Sequence, residues 1–143
     1  MAAADYKYLE TKIMTAAPEE LTLVIFDVLI LASVKAVDKL KNVPTDIQGI
    51  HDELRRGQRA LALLMGSLDF EVGGDIARNL FRVYEWWHHE LVLANMQKAP
   101  DRVERLLPDF RSYRSTWAEV NKRSRTERHS TATAPVSGFV AVG

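Results

Sequence analysis

Cysteine is missing from the sequence altogether, which excludes a disulfide framework and any thiolate metal site and fits a reducing compartment. Neither sign of charge is in excess: 19 Lys and Arg face 19 Asp and Glu, so no global field draws in nucleic acid or anionic lipid. Long apolar runs are also absent. The longest, Leu21 to Ala32, is broken by Thr22 and Asp27 and is too short to span a bilayer. The opening MAAADYKYLE places Asp5 and Glu10 where a secretory signal is apolar. These absences predict a cytoplasmic protein with no nucleic-acid partner and no membrane insertion.

The machinery of catalysis is equally sparse. Gly73-Gly74 has neither the following lysine nor the preceding strand of a phosphate-binding loop, and no serine or threonine sits in a nucleophile-elbow context. Glu85 and His88 have the Glu-x-x-His spacing of di-metal bundles, but those require a second copy and two further glutamates on facing helices, and there is no second copy. His51 and His129 are isolated. No enzyme, no cofactor and no metal site is predicted. The basic cluster Lys122, Arg123, Arg125 and Arg128 reads as cations complementing a helix C-terminus.

What the 143 residues do contain is helical periodicity, in a chain long enough to bury about two-thirds of its unfolded surface in one domain. The first strong helix should start with Thr15 as cap, Pro18 in the first turn and Glu19 and Glu20 at the positive end, and run to about Lys41. It is apolar twice over. Leu21, Ile25, Val28, Leu29 and Ala32 share one face, while Leu23, Phe26, Ile30, Val34 and Val37 form a second stripe. One stripe suffices for a bundle, so the second needs another cover.

After the break at Asn42 to Thr45, a second helix carries the seam Ile47, Ile50, Leu54, Leu61, Leu64 and Leu68, skipped only at Gly57, where close backbone packing is expected. Asp75 is the expected cap of a third helix with a seam through Ile76, Leu80, Val83, Trp87, Leu91 and Ala94, an adjacent aromatic stripe, and Trp86 and Leu93 on its far side. Asp101 is the expected cap of a fourth, holding Val103, Leu106, Phe110, Tyr113, Trp117 and Val120, with a kink near Leu106 caused by Pro108. The expectation is an all-α protein: an antiparallel up-down-up-down four-helix bundle over residues 15–125, with a mobile N-terminal arm at 1–14 and a flexible tail at 126–143.

A set of short motifs in fixed order points further. Tyr8 lies seven residues before Thr15-Ala16-Ala17-Pro18-Glu19-Glu20-Leu21, followed by Phe26-Asp27-Val28; Arg56-Gly57-Gln58 leads to Ser67-Leu68-Asp69. Then come Gly73-Gly74-Asp75-Ile76-Ala77-Arg78-Asn79-Leu80, Tyr84, Leu91, Ala94 and Asn95, and finally Arg114 and Trp117. In this pattern the chain resembles the FliS family of flagellar export chaperones over roughly Tyr8 to Trp117. Phe26 stands where the family has tyrosine, and Val28 where it has glycine.

The resemblance implies a cytosolic helical bundle that binds the disordered C-terminal segment of flagellin, prevents its premature polymerisation and keeps it export-competent, with other export components as further partners. External apolar stripes are the receptor such a segment needs. Leu23, Phe26, Ile30, Val34 and Trp86 are the groove candidates, with Tyr8, Leu9 and Ile13 as a displaceable cover. The alternative is a self-associating or adaptor bundle that binds another amphipathic helix.

Overall fold

The computed structural model describes residues 2–130, with side chains described for 6–127. Among the described residues five helices make an all-α fold: α1 (Ala2–Thr15), α2 (Pro18–Asn42), α3 (Ile47–Gly66), α4 (Phe70–Gln97) and α5 (Pro100–Ser130). The segment expected as a mobile arm forms helix α1, on which Tyr6 and Leu9, one turn apart, both bury against the rest of the molecule. Helix α5 extends past residue 125, the expected edge of the bundle, to Ser130; residues 131–143 of the expected tail lie outside the described residues.

Helix boundaries follow local chemistry, with two corrections. Pro18, Glu19 and Glu20 open α2 and Lys39 and Lys41 close it, but Thr15 does not cap it. The Thr15 hydroxyl instead donates to the Thr11 carbonyl at 3.0 Å, and α2 begins from an extended Ala17 with no side-chain cap. Asp46 caps α3 by accepting from the Gly49 N–H at 3.0 Å. Asp69, not Asp75, caps α4, accepting from Glu71 and Val72 at 3.0 and 3.1 Å. The helix therefore starts a turn early and bends at Gly74, whose φ of 51° and ψ of −124° are open to glycine alone at low cost. Pro108 lies within α5, which continues through it.

Packing follows the ring α2–α3–α4–α5–α2, with α1 laid on α2. The ring encloses an aromatic column: Phe26 meets Tyr84 edge-on at 6.2 Å, Tyr84 meets Trp87 at 5.7 Å, and Trp87 meets Phe110 at 5.0 Å. Gly57 is buried as expected for close packing, since a Cβ there would lie 3.1 Å from Leu91 Cδ1 and 3.7 Å from Leu29 Cδ1.

The second stripe of α2 finds its cover in α5. Glu20 reaches Arg125 at 3.7 Å, Asp27 reaches Arg114 at 2.6 Å and Lys41 reaches Glu104 at 2.8 Å. Numbers rise along α2 as they fall along α5, so the two helices run antiparallel. On a helical wheel Asp27 and Lys41 lie on the same side as Leu23, Ile30 and Val34, which places α5 against that side. The apolar surplus of α2 is therefore covered in part: Phe26 is enclosed, Leu23 and Ile30 are half-buried, and Val34 stays exposed.

Candidate functional site

Between α4 and α5 lies an apolar groove of about 420 Å³. Ile76 and Leu80 form one wall; Tyr113, Thr116, Trp117 and Val120 form the other, with no charged residue in the lining. Its rim is open: Ile76 is 70% exposed and Val120 43%. A surface of this kind loses ordered water when an apolar segment covers it and has no charge to desolvate.

The floor is rigid. Tyr113 packs edge-on to Trp87 at 4.7 Å, and the Trp117 indole Nε1 donates to the Tyr84 hydroxyl at 3.2 Å. Burial pushes the Tyr84 phenol up to about 12 from its usual 10.0, with the Trp117 hydrogen bond opposing. The kink at Gly74 shapes the upper end: it turns the chain so that Phe70 packs against Phe81 at 5.8 Å, and a smaller hollow lined by Leu68, Val72, Gly73 and Ala77 adjoins the groove through Ile76, Leu80 and Trp117.

A second candidate region is the seat of α1. The Tyr6 hydroxyl donates to Glu53 Oε1 at 2.7 Å, and Arg56 donates to the same oxygen at 2.8 Å. Arg56 also lies over the Tyr6 ring at 3.9 Å, with Lys35 on it at 5.3 Å. Burial, reinforced by the adjoining carboxylate, raises the Tyr6 phenol far above its ordinary value.

The residues picked from sequence fall into three groups. Tyr8, Val34 and Trp86 expose apolar surface, Trp86 at 52%. Leu23, Ile30 and Ile13 are half-buried and Leu9 is buried. Phe26 is 0% exposed and offers nothing to a partner in this conformation; it sits between the two stripes on the wheel, so burying either face of α2 encloses it. The groove itself, at Ile76, Tyr113, Thr116 and Val120, was absent from the expected receptor, although Leu80 and Trp117 belong to the motif set. Periodicity assigned Ile76, Tyr113 and Val120 to the core, and nothing in the sequence says that a groove opens beside them.

Most other motif residues are architectural. Asp27 is gripped by Arg114 through two hydrogen bonds, at 2.6 and 3.2 Å. Asn95 joins α4 to His51 of α3 at 2.9 Å. Ala77, Tyr84 and Leu91 are buried, Leu21 and Gln58 half-buried. Asn79 is exposed, and nothing in the structure explains its place in the pattern. Among the described residues no group of three or more His, Asp or Glu side chains is placed to hold a metal ion, and no helix is long and apolar enough to cross a membrane.

Comparison with known proteins agrees with this motif set. The model of the family described as "Flagellar protein FliS" matches residues 1–124. A protein from Vibrio cholerae serotype O1, described as "Flagellar secretion chaperone FliS", is 27% identical over 86 residues, 60% of each chain. The chain thus spans about 60% of the length of the curated relative it matches.

Proposed function

This chain belongs to the FliS family of flagellar proteins, and from that premise we propose that it is a cytosolic export chaperone for the C-terminal segment of flagellin. The observation that carries the reading is the open, uncharged groove between α4 and α5. A segment that is disordered when free and amphipathic when bound gains affinity by burying its apolar face in such a groove, and while held it cannot take part in polymerisation. Helices α2 to α5 serve as the up-down-up-down bundle that keeps the groove in shape, and α1 is its movable addition.

The guest runs beyond the groove. Trp86 on α4 and Val34 on α2 offer further apolar surface, and Leu23 and Ile30 gain exposure if the guest loosens α5 from α2. Tyr8, Leu9 and Ile13 on α1 are the displaceable cover. If α1 occupies part of the receptor, deleting residues 1–14 raises apparent affinity by removing a closed population.

Titration of a flagellin C-terminal peptide into the full chain tests the reading. Binding is expected, and Ile76→Asp or Val120→Asp, both at exposed rim positions, should weaken it by about tenfold or more by placing an unpaired carboxylate under the guest. A full-length protein that does not bind its cognate flagellin ends the proposal. Unchanged affinity in both variants moves the site away from the groove.

A further inference from the structure

We propose that the outward face of α3 docks an acidic protein segment, held by a row of donors at His51, Arg55 and Arg59. A polar hollow of about 350 Å³ runs along this face, lined by Gln48, His51, Asp52, Arg55, Arg56 and Arg59. Arg55 and Arg59 are exposed, and among the described residues neither guanidinium has a hydrogen bond or an ion pair. Two such cations one turn apart, each a planar fork of donors, suit carboxylates in a bidentate grip.

The third donor is set by α4. Lys98, whose ammonium can only donate, bonds Asn95 Oδ1 at 2.6 Å, so the Asn95 amide turns its Nδ2 to His51 Nδ1, 2.9 Å away. That ring nitrogen must accept, and the neutral imidazole carries its hydrogen on Nε2. His51 therefore brings a donor, not an acceptor, on the nitrogen that Asn95 leaves alone.

Arg56 is not part of the grip. It lines the hollow but is committed to Glu53 at 2.8 Å, and drawing it away would leave a buried carboxylate uncompensated. Asp52, the one carboxylate of the lining, accepts from Gln48 at 2.7 Å. With Arg56 matched by Glu53, Arg55 and Arg59 still outweigh Asp52, and the face stays positive.

Spacing and count name the occupant. His51, Arg55 and Arg59 recur every four residues, about 6 Å apart at helical rise. Alternate residues of an extended chain recur on one side at about 6.6 Å, so carboxylates at every second position meet the row in register. Nucleic acid suits it less, because strong binding there rests on about six to ten phosphate contacts. Helix α3 packs on α2 and α4 but makes no pairing with α5, so a segment docked here leaves the groove between α4 and α5 open.

The test is a titration of the isotope-labelled full chain with a peptide of three Glu-Ser repeats. Saturable shifts are expected in the Nε–H resonances of Arg55 and Arg59. Arg55→Gln combined with Arg59→Gln, at exposed positions that leave the thermal midpoint unchanged, should weaken binding about tenfold, the loss of two exposed ion pairs. Unchanged affinity in that double variant overturns the proposal, as do shifts centred on Lys122 to Arg128 or tighter binding of a thymidine dodecamer. Equal affinity for a peptide of the same composition with its three glutamates in succession overturns it too, since charge without register would then suffice. The docking does not rest on the function proposed above: if Arg55 and Arg59 respond to the acidic peptide while flagellin peptide fails to bind, the chaperone reading alone is lost.

Discussion

Tyr6 and Glu53 are 47 residues apart and joined by a 2.7 Å hydrogen bond from phenol to carboxylate. That bond fixes the N-terminal helix to α3, and it does so with a buried charge. Glu53 is balanced by Arg56 at 2.8 Å, so the cluster is neutral in sum and all three partners are engaged. A helix held by one polar cluster and a few apolar contacts can leave without dismantling the core.

Tyr6→Phe should therefore act mainly on α1. The ring stays under Arg56 and Lys35 while Glu53 loses its neutral donor, at a cost of about 1–2 kcal/mol for a hydrogen bond to a charged group. Amide exchange in residues 6–14 should accelerate by about tenfold, the factor that matches such a loss when opening is local. Exchange in α2 and α4 should change little. Equal acceleration throughout would mean that α1 opens only with the whole fold.

Arg114→Lys tests how α5 is held on α2. The guanidinium makes two hydrogen bonds to Asp27, a geometry that an ammonium group cannot reproduce. Both side chains are about one-third exposed, and solvent screening keeps the pair to about 1 kcal/mol. Urea denaturation of Arg114→Lys, Asp27→Asn and the double variant should give a coupling energy of that size; a coupling near zero would leave the pair without energetic weight.

Gly57 separates two opposing effects by size. Alanine gains about 1 kcal/mol of helix propensity over glycine, but its Cβ would press on Leu91 Cδ1 at 3.1 Å, and Leu91 is fully buried. The two should nearly cancel in Gly57→Ala. Gly57→Leu has no room and should cost about 2–3 kcal/mol by overpacking. Thermal melts of the pair check this, and a leucine variant as stable as the parent would show that α3 and α4 are not tightly apposed.

The four longer helices were legible because amphipathic periodicity, Pro18 and the break at Asn42 to Thr45 are local signals. The fully enclosed Trp87 and Leu91 were also readable as core. The role of the second stripe on α2 was not, because which neighbour covers it depends on Asp27 meeting Arg114 across 87 residues. The partner of Tyr6 was hidden for the same reason: Glu53 is one of many helical carboxylates, and only tertiary packing buries it. The groove depends on how α4 and α5 meet in space, which periodicity does not carry. Asp69 and Asp75 both had the chemistry of a cap, and the backbone turn at Gly74 decided between them.

Tyr84 links the core to the groove and makes the protein sensitive to alkali. Its phenol is pushed up to about 12 in the fold against 10.0 when unfolded, so folding favours the neutral form. The stability this contributes is fully present below pH 10 and is lost as pH rises from 10 toward 12, on the order of 2–3 kcal/mol at the limit. Tyr84→Phe removes that dependence but leaves the Trp117 N–H without its acceptor, costing about 1 kcal/mol at neutral pH. Urea midpoints should therefore rank the parent above Tyr84→Phe at pH 9, with the gap closing or reversing by pH 11. Because lysine titration is common to both proteins, it cancels in the difference. A gap that stays constant from pH 9 to 11 would show that the Tyr84 hydroxyl is not held neutral by the core, and that the floor of the groove is wetter than its geometry implies.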